Sequence, residues 1–244
     1  MRYGVLGDIH SSLSALDVTL AALERDRADV ILSVGDVVGY GAAPAECIER
    51  LQDVNALVVK GNHDAACTGE LDDCMFNEHA RAAVRWTRKV LDRSQMSWLR
   101  ELPLTLTLEH CQVSHGTLER PELFGYVQTT AEADPSLDVM ALPVCFVGHT
   151  HVPVTMFRSR ETPGRTGYTL AEDIDIRELV CSLVNVGSVG QPRDGDARTG
   201  YALFDSEAGT VVIRRLEYDI EAEAARIREA GLPHILADRL FLGL

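Results

Sequence analysis

Four short apolar runs in this chain end in the same way. Tyr3-Gly4-Val5-Leu6-Gly7 leads to Asp8 and His10, and Val30-Ile31-Leu32-Ser33-Val34-Gly35 leads to Asp36. Ala56-Leu57-Val58-Val59 leads to Gly61-Asn62-His63-Asp64, and Val144-Cys145-Phe146-Val147-Gly148 leads to His149 and His151. Runs of this length and composition read as buried parallel strands. In open α/β sheets ligands bind at strand ends, where loops converge on a rigid support. Four such ends bearing Asp, Asn and His predict a metal-binding centre, with the rest of the chain as its scaffold.

The intervening segments fit that scaffold. Residues 2–7, 29–34 and 55–59 read as the first three strands. Leu13, Leu16, Leu20 and Leu23 form the apolar stripe of a first helix, capped by Ser11 or Ser12. Pro44 suits the first turn of a second helix, whose inner face is Cys47, Ile48 and Leu51. Strand–helix–strand–helix–strand implies right-handed crossovers and a parallel sheet. Residues 65–76 read as a loop and 77–91 as a helix, with Arg81, Arg85 and Arg88 on a solvated face. Ser94 caps a shorter helix, and 104–108 and 112–114 are strands. Residues 116–142, with three prolines at or beside them, resist assignment; long segments of this kind serve as lids or substrate loops. Strands are expected at 144–147 and 153–158, an irregular excursion at 159–178, and an antiparallel series at 179–186, 200–205 and 210–217. Helices over 218–244 close the chain. Without a repeat or a composition shift, 1–244 reads as one domain.

Composition narrows the function classes. A formal net charge of -14 over 244 residues is the wrong sign for a broad nucleic-acid surface, so stable nucleic-acid binding is not expected. A small phosphorylated ligand remains compatible, because bound metal ions can dominate the local charge. None of the six cysteines forms a CxxC pair, which argues against a zinc knuckle. No secretory signal or membrane span is apparent, and a reducing cytoplasm is the default. The class leaves room for a homo-oligomer.

The chemistry concentrates in six pieces: Asp8-x-His10, Asp36, Asn62-His63, His115, His149-x-His151 and Asn185-Val186-Gly187-Ser188. Any one histidine alone is better read as a core or loop residue. Five of the eight, however, sit in Gly-flanked turns after strands, and His79, His110 and His234 do not. Mixed oxygen and imidazole donors suit Zn, Fe, Mn, Co or Ni better than Mg or Ca. Two carboxylates, one amide and four imidazoles are too many for one ion and about right for two sharing Asp36. A pair of ions about 3.5–4 Å apart clamps the attacking and leaving oxygens of phosphoryl transfer.

In order along the chain, Gly7-Asp8-x-His10, Gly35-Asp36-x-x-Gly39, Gly61-Asn62-His63-Asp64 and Gly148-His149-x-His151 resemble the signature blocks of the calcineurin-like metallophosphoesterase superfamily. The stretch from Asn185 to Arg193 resembles the closing block of its small bacterial and archaeal phosphodiesterase branch. The resemblance implies an α/β fold, a four-layer α/β/β/α sandwich of two mixed β-sheets flanked by helices. It implies that Asp8, His10 and His151 hold one metal, that Asn62, His115 and His149 hold a second, and that Asp36 bridges. It makes His63 a proton donor or charge stabiliser at the leaving oxygen, with hydrolysis through a hydroxide held by the two metals. Asp64 either orients His63 or caps the turn.

Relatives that are Ser/Thr protein phosphatases or dinucleotide polyphosphatases carry GDxxxRG after the bridging Asp. Here Tyr40 stands in place of that Arg, which lowers those readings and leaves protein or nucleotide phosphatase as the alternative. Arg120 or Arg193 could supply the missing guanidinium, although both also read as solvated loop charge. Tyr40, Phe124 and Tyr126 fit a stacking surface or core packing equally well. A scaffold of the same fold is disfavoured by the complete donor set.

Overall fold

The structure, a computed structural model, describes residues 1–244. The first sheet takes β1 (Arg2–Leu6), β2 (Val30–Ser33) and β3 (Leu57–Val58), in parallel, with helices α1 (Leu13–Arg25) and α2 (Pro44–Asp53) between them. A short helix α3 (Asn62–Thr68), then α4 (Glu78–Val90) and α5 (Arg93–Glu101), leads to the second sheet. That sheet begins with β4 (Thr105–Thr107) and β5 (Gln112–Ser114), continues past α6 (Thr130–Val139) to β6 (Val144–Val147), β7 (Val154–Ser159) and β8 (Thr166–Thr169). The chain returns to the first sheet at β9 (Asp173–Asp175), crosses to the second at β10 (Leu179–Asn185), and ends with the hairpin β11 (Thr199–Asp205) and β12 (Thr210–Leu216), then α7 (Ile220–Glu229) and α8 (His234–Asp238).

The two six-stranded sheets run β3-β2-β1-β11-β12-β9 and β4-β5-β6-β10-β7-β8. Both are mixed. In β1 the alternation decides the packing: Tyr3 and Val5 face the second sheet's Val113, Phe146 and Val184, while Leu6 meets Leu16, Leu23, Ile48 and Leu51 of α1 and α2. On the outer face of the second sheet, Ala133 and Leu137 of α6 cover Cys145, Met156 and Leu183. The order is therefore helices, sheet, sheet, helices. The parallel strands β1, β2 and β3 of one sheet and β5, β6 and β10 of the other bring the segments that follow them to one rim. No helix is long and apolar enough to cross a membrane.

Several local expectations are corrected. The segment 65–76 begins as helix α3, because Asp64 at its third position accepts a hydrogen bond from Gly61 N and Gly69 ends it with φ +81°. Within 116–142, Thr129 and Glu132 form a reciprocal N-terminal cap for α6 that outweighs Pro135 inside it. The 159–178 excursion holds two edge strands, β8 and β9. Strand β10 pairs with β6 and β7 rather than with β11. Ser12 stands at the start of α1 without making a cap bond, and Asp92, not Ser94, caps α5. Arg85 and Arg88 are not merely solvated. Both pair with Asp73, and Arg88 also donates to the Ala66 and Cys67 carbonyls at the end of α3.

Candidate dinuclear metal centre

The rim gathers Asp8, His10, Asp36, Asn62, His63, His115, His149 and His151. The first strand end supplies Asp8 and His10, the second Asp36, and the third Asn62 and His63. The end of β5 supplies His115 and that of β6 His149 and His151. Except for Asn62, which is partly exposed, all are buried. The turns that present them are strained. Asp8, His10, Asp36, His149 and His151 all have φ between +42° and +69°, a conformation that costs an ordinary L-residue roughly 1–2 kcal/mol. Such backbones persist only where their surroundings over-determine them, and they cluster at functional sites. Glycine makes the close approaches. A Cβ on Gly61 would overlap Asp36 Oδ1, and one on Gly39 would overlap the His63 ring.

Three histidines turn Nδ1 toward a backbone carbonyl: His10 to Val38 at 3.1 Å, His115 to Val34 at 2.9 Å and His151 to Gln191 at 2.6 Å. A carbonyl only accepts, so Nδ1 carries the proton and Nε2 presents a lone pair. His10 Nε2 and His151 Nε2 then face each other at 3.1 Å with no proton between them. Two lone pairs so placed repel unless a cation sits between them. For nitrogens 2.0–2.1 Å from a shared ion, a donor separation of about 2.9–3.4 Å is expected. His115 Nε2 likewise lies 3.0 Å from His149 Nδ1 and 2.9 Å from Asn62 Oδ1.

The donors fall into two groups whose ligand atoms lie within 4.8 Å of one another: Asp8 with His10 and His151, and Asp36 with His115 and His149. One oxygen spans them. Asp36 Oδ2 is 3.6 Å from His10 Nε2 and 3.5 Å from His115 Nε2. Its other oxygen accepts from His63 N at 2.8 Å. A third group joins His10, Asp36 and His63, so His63 sits beside the shared carboxylate.

The electrostatics call for positive charge. Burial, then the Asp64 charge, pushes Asp36 well above the usual carboxylate range. Burial pushes Asp8 up to about 7 against the opposing pull of His115. Burial, with the surrounding imidazoles and Arg193, holds His10, His63, His149 and His151 well below the usual imidazole value. Neutral imidazoles are the ligating form, and costly carboxylates are what a cation would stabilise. The residues fit a pair of transition-metal ions on chemistry and on spacing.

The surrounding residues divide clearly. Asp64 accepts from Gly61 N and Val38 N; it caps and ties two turns, and its carboxylate makes no hydrogen bond to the His63 ring. Asn185 donates to Gly148 O and Thr150 Oγ1, and Ser188 Oγ donates to Asp8 O, so their block fixes two ligand turns. Tyr40 lies 4.6 Å from His10 and 4.5 Å from His63, centroid to centroid. Arg193 lies over Tyr40, with Nη2 3.3 Å from its hydroxyl and 2.9 Å from Gln191 Oε1; its buried Nε has no partner. Arg120 is not brought to the cluster: it stays 59% exposed beside Glu122. Sequence reasoning missed Phe76, whose ring meets His63 edge-on at 4.8 Å. Nothing local in the sequence marks it.

The chain as a whole is similar to several known proteins. The protein MJ0912 of Methanocaldococcus jannaschii is 37% identical over 246 residues, 98% of this chain and 97% of its own. The crystal structure of a metallophosphoesterase from Sphaerobacter thermophilus has a TM-score of 0.87 at 37% identity, with all of both chains covered. Phosphodiesterase YfcE of Escherichia coli strain K12 is 24% identical over 222 residues, 87% of this chain and 91% of its own. The family model described as the calcineurin-like phosphoesterase superfamily domain matches residues 1–209, and the chain belongs to that superfamily.

Proposed function

We propose that the chain hydrolyses phosphate esters, phosphodiesters foremost, using two transition-metal ions that share Asp36. The observation that carries this reading is the position of Asp36 Oδ2, about equidistant from a donor of each group. Asp8, His10 and His151 would hold one ion, and Asn62, His115 and His149 the other. When bound, such a pair supplies electrophilic charge at the phosphate and lowers the pKa of water. The name of the Escherichia coli relative supports the diester preference, as does Tyr40 where protein phosphatases carry Arg.

The chain's own groups have distinct parts. The buried imidazoles of His10, His63, His149 and His151 favour their neutral forms, which leaves charge to the cations and substrate. Asn62 offers its amide at the rim of the cluster. His63, anchored through its backbone N–H to Asp36, holds a ring nitrogen for the proton that the leaving oxygen needs. Arg193 brings a guanidinium with an unpartnered N–H to the same face, where phosphate oxygens gather.

Turnover of bis-p-nitrophenyl phosphate that requires added Mn²⁺, Ni²⁺ or Zn²⁺ and is lost to a chelator is the expected result. A panel of diesters, cyclic nucleotides and monoesters that shows no metal-dependent hydrolysis overturns the reading in favour of a scaffold. Phosphopeptide turnover exceeding diester turnover would favour the protein-phosphatase alternative. Within the same assay, Arg193→Ala should lower kcat/KM by roughly 10–100-fold, the worth of one charge-assisted hydrogen bond. Arg193→Lys should recover only part of it, because the planar fork is lost. Unchanged kinetics in Arg193→Ala would remove Arg193 from the substrate.

A further inference from the structure

We propose that the cavity beside the metal cluster receives a planar, uncharged aromatic arm of the ester, on the leaving-group side marked by His63. This deepens the phosphoester reading and rests on it. The cavity has a volume of about 640 Å³, within the range of small-molecule sites. Its floor is Asn62, His63 and His149, so whatever fills it is continuous with a phosphate at the cluster. One wall is Leu71, Met75 and Phe76, between α3 and α4; the other is Leu123, Phe124 and Tyr126, between β5 and α6.

The lining includes no Lys, Arg, Asp or Glu. On a chain of net charge -14, that is a local departure. No side chain of the lining offers a counter-charge to a second phosphate or an acidic group; Arg193 lies over the Tyr40 ring, where that ring meets the cluster. The rim is instead apolar and bare: Met75 is 85% exposed and Leu123 57%. Apolar side chains left open beside a reactive centre mark a ligand surface.

Rings make the occupant flat. Tyr126 stacks on His149 with centroids 3.8 Å apart and planes 24° apart, yet it remains 51% exposed and lines the cavity. One face is therefore spent on a metal ligand and the other is open. Phe76 and Tyr40 present further rings around His63 at 4.8 and 4.5 Å. The wall is set against the cluster. Phe124 is held at φ +48°, unusual for a bulky residue, and its ring meets His115 edge-on with centroids 6.0 Å apart. The segment that carries Tyr126 is thus tied to the centre itself.

The test uses phosphonates, whose C–P bond is not hydrolysed, and binding rather than turnover. Calorimetry on the Mn²⁺-loaded protein should find phenylphosphonate bound roughly 10–100-fold more tightly than methylphosphonate, the worth of one stacked ring. n-Hexylphosphonate should gain less than the phenyl compound. The double variant Met75→Glu/Leu123→Glu, altered only at exposed positions, and separately Tyr126→Ser should each erase most of the phenyl advantage. Equal affinity for phenyl and methyl ligands overturns the proposal, as does hexyl binding at least as tight as phenyl, or equal losses of both ligands in the variants. Failure of every phosphonate, methylphosphonate included, overturns the phosphoester reading as well. Methylphosphonate binding without a phenyl gain strikes the cavity alone.

Discussion

Asp36→Asn is expected to lower kcat/KM for phosphodiesters by on the order of 10³-fold while the protein still folds. The substitution keeps the shape of the side chain and an oxygen to accept from His63 N, which Asp36 Oδ1 does at 2.8 Å. It removes the charge that both donor groups share. Loss of one cation's charge stabilisation is worth several kcal/mol in the transition state, and each 1.36 kcal/mol is tenfold in rate. Stability should move the other way. Because burial and Asp64 raise the folded-state pKa of Asp36, its ionised form opposes folding of the metal-free chain once pH exceeds the unfolded value near 4. Metal-free Asp36→Asn should therefore unfold at or above the wild-type temperature at neutral pH. Added Mn²⁺ should raise its Tm less than it raises that of wild type, and bound metal per chain should fall. Wild-type turnover, or an undiminished Tm gain with Mn²⁺, would remove Asp36 from the centre.

That combination explains why the centre is so legible in the sequence. A metal site stores cost in charge, burial and backbone strain, and each cost leaves a local mark. Asp8, Asp36, His149 and His151 adopt positive φ, and glycine precedes three of them: a Cβ on Gly7 would overlap Gly187 O, and one on Gly148 would overlap Asp8 Oδ2. Gly61 approaches Asp36 so closely that no side chain fits. Strand β1 beyond Arg2 and strand β6 are buried on both faces and are therefore unbroken apolar runs. Asp, His and Gly at fixed short spacings can thus be read without knowing which strands pair.

What depends on distant partners is not legible in that way. The Arg81, Arg85 and Arg88 spacing looks like any solvated helix face until Asp73 folds back beneath it. Phe76 and Tyr126 gain meaning only because α3–α4 and the segment before α6 close on one cavity. Strand β10 pairs in parallel with β6, about forty residues earlier, while the alternation within it is equally compatible with a hairpin to β11. Two of the corrected segments do carry local signals: the Thr129-x-x-Glu132 cap of α6 and the glycines Gly61 and Gly69 that bracket α3. A satisfied cap contributes about 1 kcal/mol wherever it forms.

His63→Ala is the second large effect, and its size should depend on the leaving group. His63 is wedged among Tyr40, Phe76 and His10, with Gly39 clearing space for its ring. Its Nδ1 is buried without a partner. Burial, Arg193 and His115 favour its neutral form, so its proton must come from a state that an anionic phosphate stabilises. A proton delivered to the leaving oxygen accelerates the reaction by about 10²–10⁴-fold. That help matters for an alkoxide, which leaves poorly, and little for p-nitrophenolate, which leaves unprotonated. His63→Ala should therefore lose about 10²-fold or more on an alkyl ester and less than about tenfold on bis-p-nitrophenyl phosphate. His63→Gln, which keeps a hydrogen-bond donor but no titrating proton, should restore little of the alkyl-ester rate. Equal losses on both substrates would make His63 a charge stabiliser of the transferring phosphoryl group rather than an acid. Loss of bound metal from His63→Ala would make it a ligand, the role that its place beside His10 and Asp36 allows.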